Sequence, residues 1–497
     1  MSRITSRSPS GGAGGRSARA RASSSAWRAF SSGTKRTSEK RTSVERSVTS
    51  AAISRARAVL PTPPGPVSVT SLGPSGARSR RSRARSSSRP MSVAARLLIP
   101  EFSIGPVPGA TREIAHELRE NRQARRMAGM AAPVSPQERS FLPDVLRGLA
   151  IGGILLVNVQ DFAGYVPWLQ TGADGVARFL VDVLANGKFV STFAMLFGAG
   201  AALGVARAGS GVQLRRLLTL LVLGVAHGTL VWHGDILATY ALVGLVLLPL
   251  LSAPASAQAV FAVAGLGWGV VTILRLAVGA PAVPEDGAGI GVNPAYGAAS
   301  YVGALPLRAE DFLGTLTSGT LFLGTWLLGL FLIGVLVART GVLRDPARFR
   351  RPLLLTAALG LLVGVPLNLV FARLNATGLY DAQLWALLTR FLGGLTLALA
   401  YGALVALAVT TARGRALLTP LANAGRLALT HYLTQSVVCT LVFYGYGLGQ
   451  YGRWGALACV LFALALYAVQ VALSGIVLRR FGRGPAEWLL RRVVYGR

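Results

Sequence analysis

Residues 213–252 read QLRRLLTLLVLGVAHGTLVWHGDILATYALVGLVLLPLLS. Two apolar runs, 213–232 and 235–252, flank the short polar turn HGD. Each run is close to the length of about 20 residues that a helix needs to cross a bilayer. Two such runs on so short a link read as an antiparallel helical pair in lipid. Working outward, similar runs recur at 145–165, 187–206, 256–278, 318–338, 352–372, 383–411, 427–448 and 455–478. The spacing predicts about ten transmembrane helices.

Composition agrees with that reading. The chain of 497 residues is 52% hydrophobic and 14% charged, whereas a water-soluble domain carries about 25% charged residues to keep its surface wet. A soluble enzyme is excluded, and the expected fold class is all-α, a polytopic membrane helix bundle. The membrane domain is expected over 138–497. One long outer loop is expected at 279–317, where Pro281, Pro284, Glu285 and Asp286 interrupt the apolar pattern and divide the chain into halves.

Arginine placement sets the expected sidedness. Arg207, Arg215 and Arg216, then Arg339, Arg344, Arg348, Arg350 and Arg351, then Arg413, Arg415 and Arg426 fall on one side of the bundle, together with the tail at 479–497. The other side holds chiefly Arg178, Lys188, Arg308, Arg373 and Arg453. The positive-inside rule places both termini in the cytoplasm of a bacterial plasma membrane. Tyr444, Tyr446, Tyr451 and Trp454 then crowd a turn at the outer headgroup level, and FGRGPAEWLLRRVVYGR (481–497) reads as an interfacial anchor on anionic lipid.

The first 126 residues are a different material. They hold 25 of the 51 Lys and Arg but 6 of the 19 acidic residues, within a Ser- and Arg-rich stretch of low complexity. Such a segment cannot bury enough surface to offset its ordering entropy, so 1–126 is expected to be disordered, save for a short helix over TREIAHELRENRQARR (111–126). It reads as a cytoplasmic arm for nucleic acid or anionic lipid, as a targeting segment, or as translated upstream sequence with the true start at Met127 or Met130. The last is favoured because no motif interrupts the segment, and no nucleic-acid partner is expected.

Cys439 and Cys459 both lie in apolar runs, so no disulfide framework is implied. Zinc, nucleotide and hydrolase motifs are absent, no metal is expected, and the chemistry falls to scattered polar residues. Ionisable groups are costly in a bilayer and each needs a partner, a wet cavity or a task. Asp144 and Arg147, three apart on one helical face, read as a structural ion pair. Asn158 and Asp161 repeat that spacing at the outer end and are expected to face the bundle interior. His227, His233 and Asp235 are placed to converge at the outer face, with His227 as general base and Asp235 orienting it. Asp235 also stands where a helix cap belongs. Arg390 falls about 10 Å below the outer end of its span. It is expected to pair with Asp161 or Asp235, to line one polar pocket with His227, and to act in catalysis by meeting a carboxylate, phosphate or developing oxyanion. Asn158, Asp161 and His233 are the expected substrate contacts. His431 and Gln435, four apart, read as interhelical hydrogen-bonding groups. The GxxxG pairs Gly148/Gly152 and Gly200/Gly204 read as helix-packing positions.

Five blocks carry a resemblance: DVLRGLAIGGILLVNVQDF (144–162), FAMLFGAGAALG (193–204), HGTLVWHGDILATYALVGLVLLP (227–249), GRLALTHYLTQS (425–436) and FGRGPAEWLLRRVVYG (481–496). In this order they resemble the YeiB-like family of bacterial membrane proteins, named for a domain of unknown function, DUF418. The opening Asp144, Leu146, Arg147, Gly148 and Ala150 is also distantly similar to membrane acyltransferases such as heparan-glucosaminide N-acetyltransferase. The resemblance implies acyl transfer, with no permanently bound cofactor, acyl-CoA as a donor and membrane lipids as surroundings. The acceptor would be a small molecule, lipid or glycan at the outer face. The alternative is a transporter or lipid flippase that uses the same pocket for binding.

Overall fold

The computed structural model describes residues 140–279, 293, 295–298 and 300–496. The expectations for 1–126, and those for most of 279–292, lie outside these residues. Among the described residues the chain is helical throughout, with no strand.

Fourteen α-helices are described. They are α1 (Phe141–Ala163), α2 (Gly172–Leu184), α3 (Lys188–Ala208), α4 (Ser210–Leu230), α5 (Leu237–Leu250), α6 (Ala255–Gly279) and the single turn α7 (Ala295–Ala298). Then follow α8 (Ala304–Thr340), α9 (Arg350–Leu374), α10 (Tyr380–Ala408), α11 (Ala412–Arg426), α12 (Ala428–Phe443), α13 (Ala456–Phe481) and α14 (Pro485–Tyr495). Seven segments are long and apolar enough to cross a membrane: Phe141–Ala163, Gly172–Ala208, Ala255–Arg275, Leu323–Thr340, Pro346–Leu374, Ala382–Ala408 and Ala456–Phe481. The protein is therefore a helical membrane protein. The shorter apolar helices α5 and α12 and the Arg-bearing α4 make up the rest of the ten predicted runs.

Burial follows position in the bundle. The apolar window of α1 is 72% buried, against 22% for those of α9 and α13, so α1 is an interior post and the others face outward. Between helices in lipid the hydrophobic effect gives little attraction, and close backbone packing replaces it. At the α1–α11 crossing a Cβ on Gly148 would strike the Leu421 carbonyl, and one on Gly425 would strike that of Asp144. Gly152 of the same predicted pair accepts the Tyr467 ring. The second predicted pair is corrected: Gly200 has open space beside it, and α3 instead meets α8 through Gly198, against Phe331, and Gly334, against Met195.

Two loops of the sequence reading are helices. Residues 304–317 continue without a break into the following span, so α8 has 37 residues, about 55 Å of axis, well beyond an apolar core of about 30 Å. Arg308, Glu310 and Asp311 had hidden that continuity. Likewise α2 occupies part of the predicted outer connection. Three cations read as loop charges are buried: Arg178 is 7% exposed, and Lys188 and Arg308 are 0% exposed.

Side chains from distant segments cap the helix ends. The free N–H groups that open α13 are met by Gln170, whose Oε1 accepts from Ala456 at 3.0 Å, and by Asp174, whose Oδ1 accepts from Leu457 at 2.8 Å. Glu487 of α14 caps α12, with Oε1 accepting from Leu429 at 2.8 Å and Thr430 at 3.1 Å. A carboxylate suits a helix N-terminus through both its lone pairs and its charge. The C-terminal segment is thereby fastened to the bundle.

Candidate functional site

The turn between α4 and α5 brings His227 and Asp235 together, with Nδ1 and Oδ2 2.7 Å apart. Both residues are buried, at 4% and 2% exposure. Gly224 makes this approach feasible, since a Cβ there would come within 2.8 Å of Asp235 Oδ1. That Oδ1 accepts the Ala238 N–H at 3.0 Å, so the carboxylate caps α5 while holding the imidazole. Tyr432, from α12, donates its hydroxyl to Asp235 Oδ2 at 3.2 Å and accepts the Ile236 N–H at 3.2 Å.

This arrangement has a chemical consequence. A carboxylate at Nδ1 favours the tautomer with its proton there and leaves the Nε2 lone pair as acceptor. Nε2 of His227 is buried and has no hydrogen-bond partner. Buried polar atoms are otherwise nearly always paired. The pair is thus an imidazole oriented by a carboxylate, with an unused nitrogen able to accept a proton.

A cavity of about 210 Å³ lies against Ile236, Leu237 and Tyr432, and neither His227 nor Asp235 lines it. Tyr432 lines it beside Arg147, Arg216, Arg426 and Glu487. Arg216 precedes His227 by eleven residues on α4, about 16 Å along the axis. The cavity is basic at the end that the sequence assigns to the cytoplasm, and Tyr432 links its wall to Asp235. Asp144 and Arg147 form the ion pair read from their spacing, at 2.7 Å.

The remaining candidates separate from this centre. Arg390 is half-buried on α10, with its guanidinium 5.3 Å from the Phe391 ring. It lies within electrostatic reach of Asp182 and Asp161, yet no ion pair joins it to Asp161 or Asp235 among the described residues. Of the two expected partners, Asp161 lies within electrostatic reach without a direct ion pair, and Asp235 is excluded because it is already taken by His227, Tyr432 and Ala238. Asp161 is exposed at the end of α1, and half-buried Asn158 makes no side-chain hydrogen bond among the described residues.

A cluster that the sequence reading missed surrounds Asp182. Its carboxylate receives Arg178 at 2.8 Å, Asn186 at 3.0 Å and, from α9, Asn375 at 2.9 Å. Lys188 donates to the carbonyls of Asp182, at 2.6 Å, and Asn186, at 2.8 Å. The i,i+4 spacing of Arg178 and Asp182 was the one signal available.

His233 stands apart from His227 and stacks on Tyr296 at 5.3 Å, in a group of rings that includes Tyr444 and Tyr446. Burial holds its imidazole below the usual histidine range, partly offset by Asp311. Tyr444 is fully buried, so this aromatic turn packs upon itself instead of presenting all its rings to headgroups. On α12, His431 Nε2 meets Ser474 Oγ at 2.8 Å and Gln435 donates to Gln470 at 2.8 Å, an interhelical seam with α13. Among the described residues no three His, Cys, Asp or Glu side chains gather as a metal site.

Comparison with known proteins places this geometry among relatives. Residues 337–497 match the family described as "Protein of unknown function (DUF418)". The uncharacterized protein YxaH of Bacillus subtilis (strain 168) is 31% identical over 408 residues, covering 73% of this chain and 96% of its own. The uncharacterized protein YeiB of Escherichia coli (strain K12) is 31% identical over 374 residues, covering 72% of this chain and 96% of its own. An uncharacterized 39.9 kDa protein from the amylase 3' region of Bacillus acidopullulyticus is 26% identical over 383 residues, covering 73% and 96%.

Proposed function

The chain belongs to the YeiB-like DUF418 family, and from that premise we propose that it is a plasma-membrane acyltransferase acting on an acceptor at the outer face. The observation that carries this reading is the unpartnered Nε2 of His227, held by Asp235, whose hydrogen-bond partner Tyr432 lines a cavity together with three arginines. In this reading ten helices span a bacterial plasma membrane with both termini in the cytoplasm. The arginine end of the cavity then faces the cytoplasm, and His227 lies toward the outside.

Acyl-CoA is the donor. Its phosphates meet Arg147, Arg216 and Arg426, since guanidinium groups bind phosphate through charge and paired donors. The acceptor's hydroxyl or amine gives its proton to His227 Nε2 as its heteroatom attacks the thioester carbonyl. Asp235 steadies the imidazolium. As the carbon–sulfur bond breaks, the departing thiolate takes that proton, and His227 is neutral again. Tyr432 holds the carboxylate in register. Asn158 and Asp161, at the end of α1, serve acceptor binding, and Arg390 is the counter-charge to Asp161 and Asp182 rather than a participant in the chemical step.

The test uses the purified full chain with acetyl-CoA. Thermal stabilisation by acetyl-CoA and release of free thiol are both expected, with thiol release lost in His227→Ala while stabilisation persists. Stabilisation and turnover unaltered by the substitution contradict the assignment. Uptake of solute into proteoliposomes without thioester cleavage favours transport or lipid flipping through the same pocket.

A further inference from the structure

The ring cluster at the outer end of α4 contains a second unsatisfied centre. Arg308, on the part of α8 that precedes its apolar window, is 0% exposed. Its Nη1 donates to the Leu230 carbonyl at 2.7 Å, closing the C-terminus of α4 together with the Tyr301 hydroxyl at 2.9 Å. Its Nε and Nη2 have no partner. These two nitrogens form one edge of the guanidinium, the side-on fork that grips two oxygens of an oxyanion at once. The nearby carboxylate of Asp311 does not fill it, being bonded to the Tyr296 hydroxyl at 2.7 Å.

Two other donors within electrostatic reach of Arg308, on Tyr444 and His233, are also unspent, and a third, on Trp232, lies one ring farther on. The Tyr444 hydroxyl, His233 Nδ1 and Trp232 Nε1 are buried without partners. The rings form a connected wall: Arg308 lies 5.9 Å from Tyr446, Tyr446 meets Tyr444 edge-on at 5.8 Å, and Tyr444 stacks on Tyr296 at 4.8 Å. Tyr296 stacks in turn on His233, whose ring is 6.1 Å from that of Trp232. A buried cation with an open donor edge is costly unless an anion completes it. Tyr444 and His233, both within its reach and able to donate, suit further oxygens of a phosphate.

We propose that Arg308, with Tyr444 and His233, binds a phosphate oxyanion at the outer end of α4. The phosphate belongs either to a free phosphorylated molecule or to a lipid headgroup. The site does not depend on acyl transfer, and it is tested without any thioester.

The purified full chain is unfolded thermally in detergent with increasing inorganic phosphate, against chloride at equal ionic strength. In parallel, it is unfolded in nanodiscs of phosphatidylglycerol or of phosphatidylcholine. Saturable stabilisation by phosphate identifies the free form. Stabilisation by phosphatidylglycerol alone identifies the headgroup. Either is expected to disappear in Arg308→Gln and to fall more than tenfold in apparent affinity in Arg308→Lys, which keeps the charge without the fork. Tyr444→Phe is expected to weaken binding about three- to tenfold, the worth of one hydrogen bond. This milder variant decides the matter if the Arg308 variants do not fold. Equal stabilisation of wild type and Arg308→Gln overturns the proposal, as does no stabilisation by either source, or an unchanged affinity in Tyr444→Phe when the Arg308 variants are lost.

Discussion

Two buried polar clusters in this bundle have opposite designs. Around Asp182, one carboxylate meets Arg178, Asn186 and Asn375, while Lys188 is tied to two carbonyls. Apart from the unpartnered Nε of Arg178, the polar groups there are spent on one another, and the product is a lock between α2, the start of α3 and the end of α9. Around Asp235 the carboxylate is equally occupied, but the imidazole that it holds keeps one nitrogen free. A closed network stabilises a fold, whereas an open atom within an otherwise closed network is the mark of a site. Arg308 and Arg178 differ in degree: Arg178 reaches Asp182 through Nη1 and leaves only Nε unpartnered, whereas both Nε and Nη2 of Arg308 are unpartnered.

Removing the open atom should cost function and spare the fold. His227→Ala is expected to lower thioester turnover by about 10²- to 10⁴-fold, the usual worth of a general base. The folded fraction, followed by size-exclusion profile and thermal unfolding, should stay near wild type. At the closed cluster the outcome should invert. Asp182→Ala leaves Arg178 and Lys188 buried beside no carboxylate, and about 3–5 kcal/mol of stability should be lost. Yield of folded protein and unfolding temperature report that loss, with turnover per folded molecule little changed.

Gly425→Ala places a methyl against the Asp144 carbonyl and should cost about 1–3 kcal/mol by overpacking the α1–α11 crossing. Tyr432→Phe removes one donor from Asp235 and should cost about 0.5–1.5 kcal/mol, read as a several-fold fall in turnover with a small fall in melting temperature.

The smallest expected effect concerns pH. Burial depresses the His233 pKa below its ordinary value of 6.5, so the unfolded chain binds a proton first as pH falls. Stability from this group is full above pH 6.5 and declines as pH drops from there toward the folded-state value. His233→Gln should flatten the dependence of melting temperature on pH below 6.5, while His227→Ala leaves that component in place.

Much of the architecture was legible because apolar runs record bilayer thickness directly. The HGD turn, the Asp144–Arg147 spacing and the approach of His227 to Asp235 are local, within eight residues, and local geometry can be read from a chain. What was missed is non-local or amphipathic. Tyr432 reaches Asp235 across 197 residues, and nothing in THYLTQS announces that contact. Helix α2 carries Asp174, Arg178 and Asp182 on 13 residues, too short and too charged to register as an apolar run. Counting Arg178, Lys188 and Arg308 as loop charges followed from that, since a buried cation and a surface cation look alike until their partners are known. For the same reason Asp182 was missed as a neighbour of Arg390, beside the expected Asp161.

The central claim is that His227 Nε2 is the atom that takes the acceptor's proton. The most direct measurement is thiol release from acetyl-CoA by purified wild type and by His227→Gln, normalised to folded protein. The account predicts turnover in wild type and a loss of at least about 10²-fold in the variant at unchanged melting temperature. Equal turnover in the two, at equal folded fraction, contradicts it.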